Sequence, residues 1–241
     1  MSVHVQLGTK ELALAAIFTA LYVVLGALKI SPIIGLPGQG ITAAAIIAPI
    51  IGIIFGPYVG VLSTFLGGVI GISLGYFSQL SLASGVTAAL CSGMTAMGRR
   101  IASIIVYFCL LLIFAFYPVI GPAWLYPQYL WFQIIGFIIL ISPLQSLAVK
   151  IIKTDDGSML FYTFFITSLT STLAGQIAGS TIYELIISSD LSGALGTWLA
   201  TVFLYPTERV IIAIVSAVIG SVLFKVLKNA NLLTFSNSPH R

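Results

Sequence analysis

Hydrophobic residues along this chain neither alternate nor keep to one helical face. They run together in blocks separated by short polar or proline-bearing stretches. Such blocks lie near residues 10–29, 40–55, 57–77, 82–98, 101–118, 129–150, 159–187 and 204–228. A bilayer core of roughly 30 Å takes about 20 apolar residues per helical crossing, and most of the blocks approach that length. The pattern predicts an all-α, polytopic transmembrane helical bundle with six to eight membrane segments. One transmembrane domain is expected over residues 10–228, between an N-terminus of residues 1–9 and a tail of residues 229–241. Block 40–55 would reach only about 24 Å as a helix. It ends at Phe55-Gly56-Pro57, where proline forbids an uninterrupted helix and glycine permits a reversal, so a hairpin with block 57–77 is predicted. Block 159–187 would reach about 43 Å and must tilt or project from the membrane.

Small residues recur four apart within these blocks: Ala16 and Ala20; Gly52, Gly56 and Gly60; Gly67, Gly71 and Gly75; Ser171, Gly175 and Gly179. In lipid, such flat stripes let helix backbones approach closely, at about 1 kcal/mol per well-made contact. The glycine rows read as seams inside the bundle. The Ala16 and Ala20 strip serves either a neighbouring helix of the same chain or a helix from outside it.

Composition sharpens this picture. Of the residues 59% are hydrophobic and 7% charged, against about a quarter charged in ordinary soluble domains. The first block follows a single Lys10 and carries no small-residue cleavage motif, so the chain is expected to be mature from Met1. The net charge of +4 is spread in pairs without interleaved aromatics, which argues against nucleic acid. It fits topology better: with both termini cytoplasmic, Lys10, Arg99, Arg100, Lys150, Lys153, Lys225, Lys228 and Arg241 face inward, and only Lys29 and Arg209 face outward. The two cysteines, Cys91 and Cys109, lie in apolar blocks and offer neither a disulfide framework nor a metal site.

An intramembrane enzyme needs a nucleophile with a base, or clustered carboxylates for a metal. The histidines, His4 and His240, are terminal, and the paired acids Asp155 and Asp156 fall in a cytoplasmic turn. Ala83-Ser84-Gly85 and Cys91-Ser92-Gly93 therefore have no evident general base. No metal site, cofactor or catalytic residue is expected. For ligand binding, Glu184 in GSTIYELIISSD stands out, beside Tyr183 and two turns beyond Gln176, because ionisable groups inside lipid are costly. Glu208 and Arg209 follow Tyr205-Pro206-Thr207 at an outward helix start, where an acidic first turn also suits the helix dipole. The loop GPAWLYPQYLW carries Trp124, Tyr126, Tyr129 and Trp131, residues that collect at membrane interfaces; Trp124, between two prolines, is the candidate for stacking on a flat ligand. Gln39 and Gln79 are the remaining polar candidates near the outer face.

The stretch TKELALAAIFTALYVVLGAL, a proline-containing loop, IIAPIIGIIFGPYVGVLSTFLGGVIG and LASGVTAALCSGMTAMGRR together resemble the substrate-binding S component of energy-coupling-factor (ECF) vitamin transporters. The resemblance covers about residues 9–100. It implies that Ala16 and Ala20 form the Ala-x-x-x-Ala strip on which a shared membrane subunit, the T component, docks. It further implies capture of a vitamin or related micronutrient from outside, with two ATPase subunits driving release. The chain holds no Gly-x-x-x-x-Gly-Lys-Ser/Thr phosphate loop, so ATP would be used by partners. A self-sufficient secondary carrier and a structural subunit of a larger membrane complex are the alternatives, although the spans hold few of the midplane charges that carriers use.

Overall fold

The computed structural model describes residues 8–154, 159–187 and 190–230. The ends of the chain, with His4, His240 and Arg241, and the acidic turn of Asp155 and Asp156 lie outside these residues. The described chain is all-α apart from one small hairpin. Its helices are α1 (Thr9–Gly26), α2 (Ala44–Ser73), α3 (Gln79–Ala96), α4 (Arg100–Ala115), α5 (Pro122–Leu125), α6 (Trp131–Ile141), α7 (Pro143–Thr154), α8 (Leu160–Ile187), α9 (Leu191–Thr201) and α10 (Leu204–Asn229). Strands β1 (Lys29–Pro32) and β2 (Gly40–Thr42) pair antiparallel between α1 and α2.

By length and composition, α1, α2 and α10 qualify as membrane spans, α2 only when its two arms are counted as one helix, and a fourth arises if the bent α6–α7 pair counts as one. Helices α3 and α8 are diluted by serine, threonine and glycine for a reason the structure makes plain. Helix α8 runs through the middle of the bundle, and every residue from 166 to 180 is buried. A helix surrounded by protein has no need of lipid-soluble side chains. The outer surfaces of α1, α4, α6 and α10 instead expose Ile17, Ile101, Ile105, Ile138, Ile211 and Val222. An apolar belt of this extent fits a membrane-embedded protein.

The expected reversal at Gly56-Pro57 is present. Gly56 adopts φ 83°, ψ 175°, a backbone region essentially restricted to glycine. An ideal Cβ on Gly60 would lie 3.1 Å from the Cα of Gly52, whereas eight residues of straight helix separate atoms by about 12 Å. Helix α2 is thus two arms folded back on each other, residues 44–55 and 57–73. The glycine rows are seams except at Gly75, which is exposed just past the end of α2 with φ 77° and nothing within 4 Å of its Cβ position: a Cβ on Gly67 would meet Tyr22 at 2.9 Å, one on Gly175 the Ser84 carbonyl at 2.5 Å, and one on Gly179 the Leu80 carbonyl at 3.2 Å.

Block 129–150 departs from the expected single helix, because α6 and α7 meet at 56°. Pro143 supplies no backbone N–H and holds Ser142 extended at ψ 166°. The carbonyls released at this break are taken up by Arg100, whose guanidinium donates to Leu140 O at 2.7 Å and Ser142 O at 2.9 Å and also bonds the Ser146 hydroxyl. Helix α7 is fastened to α8 by Gln145, which donates to Thr167 Oγ1 at 3.0 Å and accepts from Thr170 at 3.1 Å.

Candidate functional site

Two surface features stand out. The first is a partly enclosed cavity of about 90 Å³ at the end of the bundle that carries the β-hairpin. Arg99 and Arg100, between α3 and α4, lie at the opposite end. The cavity volume is several times the roughly 10–15 Å³ needed to hold one water, and the space suits one small ring-bearing compound.

Each wall of the cavity has a local cause. From α1 comes Tyr22, and from the hairpin Ile33, Ile34, Ile41 and Thr42. The chain between the strands turns on Gly35 (φ 85°) and Gly38 (φ 81°), and a Cβ on Gly35 would collide with the Tyr183 hydroxyl. Glycine therefore lets the hairpin close down over the cavity. Ser81, Ser84 and Gly85 of α3 face Thr172, Gln176, Gly179, Ser180 and Tyr183 of α8 across it. Thr197 and Trp198 of α9, Tyr205 and Arg209 of α10, Ala45 and Ala48 of α2, and Phe77 just before α3 also line it.

The polar groups are arranged in two clusters. The Tyr183 hydroxyl and Thr197 Oγ1 are 2.8 Å apart. Gln176 Nε2 donates to the Tyr129 hydroxyl at 3.3 Å, leaving Gln176 Oε1 enclosed without a partner. Trp198 is anchored by its Nε1 to Ile120 O at 3.1 Å, and its ring lies 4.9 Å from that of Tyr129 and 6.1 Å from that of Tyr183. Arg209 is 5% exposed, and its Nε is enclosed without an acceptor. Glu208, beside it, accepts from the Ser31 hydroxyl, which ties β1 to α10.

Of the residues singled out from sequence, Gln176, Tyr183 and Arg209 line this cavity. Glu208 stands at its edge through Ser31. Glu184 does not line it: the side chain is 0% exposed, and neither carboxylate oxygen has a hydrogen-bond partner. Trp124 is 60% exposed and packs on Phe116 at 5.7 Å, away from the cavity. Gln39 makes backbone bonds to Ile33 and Leu36 within the hairpin turn, and Gln79 is exposed at the first turn of α3. Trp198, Tyr129 and Tyr205 were not singled out as binding residues. One available signal was Asp190 ahead of the apolar run LSGALGTWLATV, the mark of a helix start.

The second feature is a shallow groove between α1 and the second arm of α2, formed by Ala16, Thr19, Ala20, Val23, Val24, Leu66 and Ile70. Ala16 and Ala20 are exposed on it. The α1–α2 seam itself runs alongside, where Ser63 Oγ donates to Ala15 O at 3.2 Å and Gly67 packs on Tyr22. Cys91 is buried, Cys109 is exposed, and both are free. Among the described residues no three His, Cys, Asp or Glu side chains cluster to hold a metal.

No family model matches this chain, and neither a curated protein nor a solved structure does.

Proposed function

We propose that this chain is the substrate-capture subunit, or S component, of an ECF-type importer. In this reading it binds a vitamin or related small micronutrient from outside and hands it across the membrane when docked to a T component and two ATPases. Six to eight crossings with both termini cytoplasmic complete the proposal, in a cell membrane. The cavity then opens outward, since it lies at the end away from Arg99 and Arg100, on the side that carries Lys29. No step of covalent chemistry is asked of this chain, and it needs no cofactor of its own.

The observation that carries the reading is the exposed strip of Ala16 and Ala20. The glycine rows of this chain are packed against Tyr22, Ser84 and Leu80, but this small-residue strip is left open. A flat strip exposed to lipid alone gains nothing from its flatness, while one that receives a partner helix gains close van der Waals packing. Among the polar side chains, Gln176, Tyr183 and Arg209 are assigned to the ligand, with Trp198 as the ring-stacking surface.

The test uses Ala16→Trp and Ala20→Trp. Both variants are expected to abolish co-purification with a membrane partner while the isolated chain keeps its melting midpoint in detergent. Retained association, or loss of folding with association intact, removes the strip from the docking surface.

A further inference from the structure

We propose that the compound held in this cavity is an anion, recognised through a carboxylate by Arg209. The inference rests on the capture reading of the same cavity. Arg209 is the single charged side chain in the described wall. It is 5% exposed, with its Nε enclosed and unpartnered. Among the described residues no hydrogen bond or ion pair reaches its terminal nitrogens either. A guanidinium carries five N–H donors in a rigid planar fork, and burying it unsatisfied is costly.

The chain balances this charge only in part. Glu208 acts on Arg209 electrostatically, as do Tyr205 and Tyr129, but Glu208 forms no ion pair with it, and its bonded oxygen is engaged by Ser31. The two tyrosines offer oxygen dipoles, not charge. The missing complement is a group with negative charge and two coplanar acceptors, and a carboxylate fits the fork through paired bonds. One guanidinium matches a monoanion; a phosphate dianion would call for a second positive charge, and Arg209 is the single charged side chain in the described wall. Tyr22, Phe77 and Trp198 supply an apolar, aromatic surface for the rest of the molecule. Gln176, which lines the cavity, adds a side-chain amide for one polar group of the ligand. The class that results is a small, ring-bearing monocarboxylate.

The experiment pairs acids with their amides on the purified full chain in detergent: benzoate with benzamide, nicotinate with nicotinamide, indole-3-acetate with indole-3-acetamide, and inorganic phosphate alone. Melting midpoint and tryptophan emission are the readouts. At least one acid is expected to raise the midpoint and alter the emission, with its amide binding at least tenfold more weakly. Arg209→Gln should weaken that acid by roughly ten- to a hundredfold, as one charge-assisted hydrogen bond does, and Arg209→Lys should keep part of the affinity. Without probe, Arg209→Gln should melt no lower than the parent, because an unpaired buried charge has been removed. The comparison of acid with amide on the unmodified protein stands without any variant. Equal binding of acid and amide, phosphate preferred to every carboxylate, or full acid affinity in Arg209→Gln each overturns the anion inference and leaves capture standing. A cavity that takes none of the probes overturns the capture reading and this inference with it.

Discussion

Replacing Gly93 by alanine tests the approach of α3 to the reversal of α2, where all the nearest atoms are backbone. An ideal Cβ on this α3 residue would overlap the backbone nitrogen of Pro57 and lie 2.7 Å from both Gly56 C and Pro57 Cα, where ordinary contact begins at 3.4 Å. Every obstacle is backbone, at the reversal of α2, and none can rotate aside. The two elements must therefore part by at least about 0.7 Å. Overpacking of this kind costs about 1–3 kcal/mol, and the absence of any side-chain escape places Gly93→Ala in the upper half of that range. Alanine recovers about 1 kcal/mol in helix propensity, so the net loss is about 1–2 kcal/mol. Gly196→Ala is the matched control: it sits in helix α9 with nothing within 4 Å of its Cβ position, and only the propensity gain applies. Thermal unfolding in detergent reads both, at about 2–4 °C per kcal/mol for a chain of this size. Gly93→Ala is expected to melt several degrees lower and Gly196→Ala slightly higher. Equal midpoints for Gly93→Ala and the parent would refute the close approach of α3 to the hairpin.

Two further predictions follow from hydrogen bonds. Arg100→Gln strips the acceptor carbonyls Leu140 O and Ser142 O of their donors, at about 2–4 kcal/mol since the contact is only half-buried; Arg100→Lys should restore a minor part of the melting midpoint, and an unchanged midpoint in Arg100→Gln would show that water serves the break equally well. Asp190 caps α9 by accepting from the Gly193 N–H at 2.9 Å and from the Ser192 hydroxyl, and these bonds hold its carboxyl below the usual aspartate range. A depressed value means that the cap is fully present above about pH 4 and is lost as pH falls further. Protection against hydrogen exchange at the start of α9, taken relative to the intrinsic amide rate at each pH, should fall in that acidic range, and in Asp190→Asn it should not change there; constant protection in the parent protein would contradict the cap.

Much of the scaffold could be read from local rules. Gly56-Pro57 announced a reversal because no other dipeptide combines a φ of 83° with the loss of a helical N–H. The glycine rows announced seams because only close approach makes such rows useful in lipid. Pro143 was different: it lies inside an unbroken apolar block, and hydrophobicity alone does not register a missing donor. The β-hairpin escaped because KISP and GIT are too short to carry a period of two. At the cavity, Gln176, Tyr183 and Arg209 stood out as polar groups in apolar surroundings. Which of the three tryptophans turns inward was not decided locally. Trp124 had the loop context, yet Trp198 faces the cavity because Ile120 O holds its indole nitrogen, a contact between residues 78 apart in sequence. Glu184 had the most conspicuous sequence position, but the turn of α8 directs it away from the space that Tyr183 helps to line.

Docking to a T component is tested by gentle-detergent affinity purification of the tagged full chain from its native host, followed by mass spectrometry of the proteins that accompany it. A multispan membrane subunit together with ATPases that carry phosphate loops is expected, both lost in Ala16→Trp. Recovery instead of a fixed set of subunits from an unrelated membrane complex, unaffected by Ala16→Trp, would contradict it.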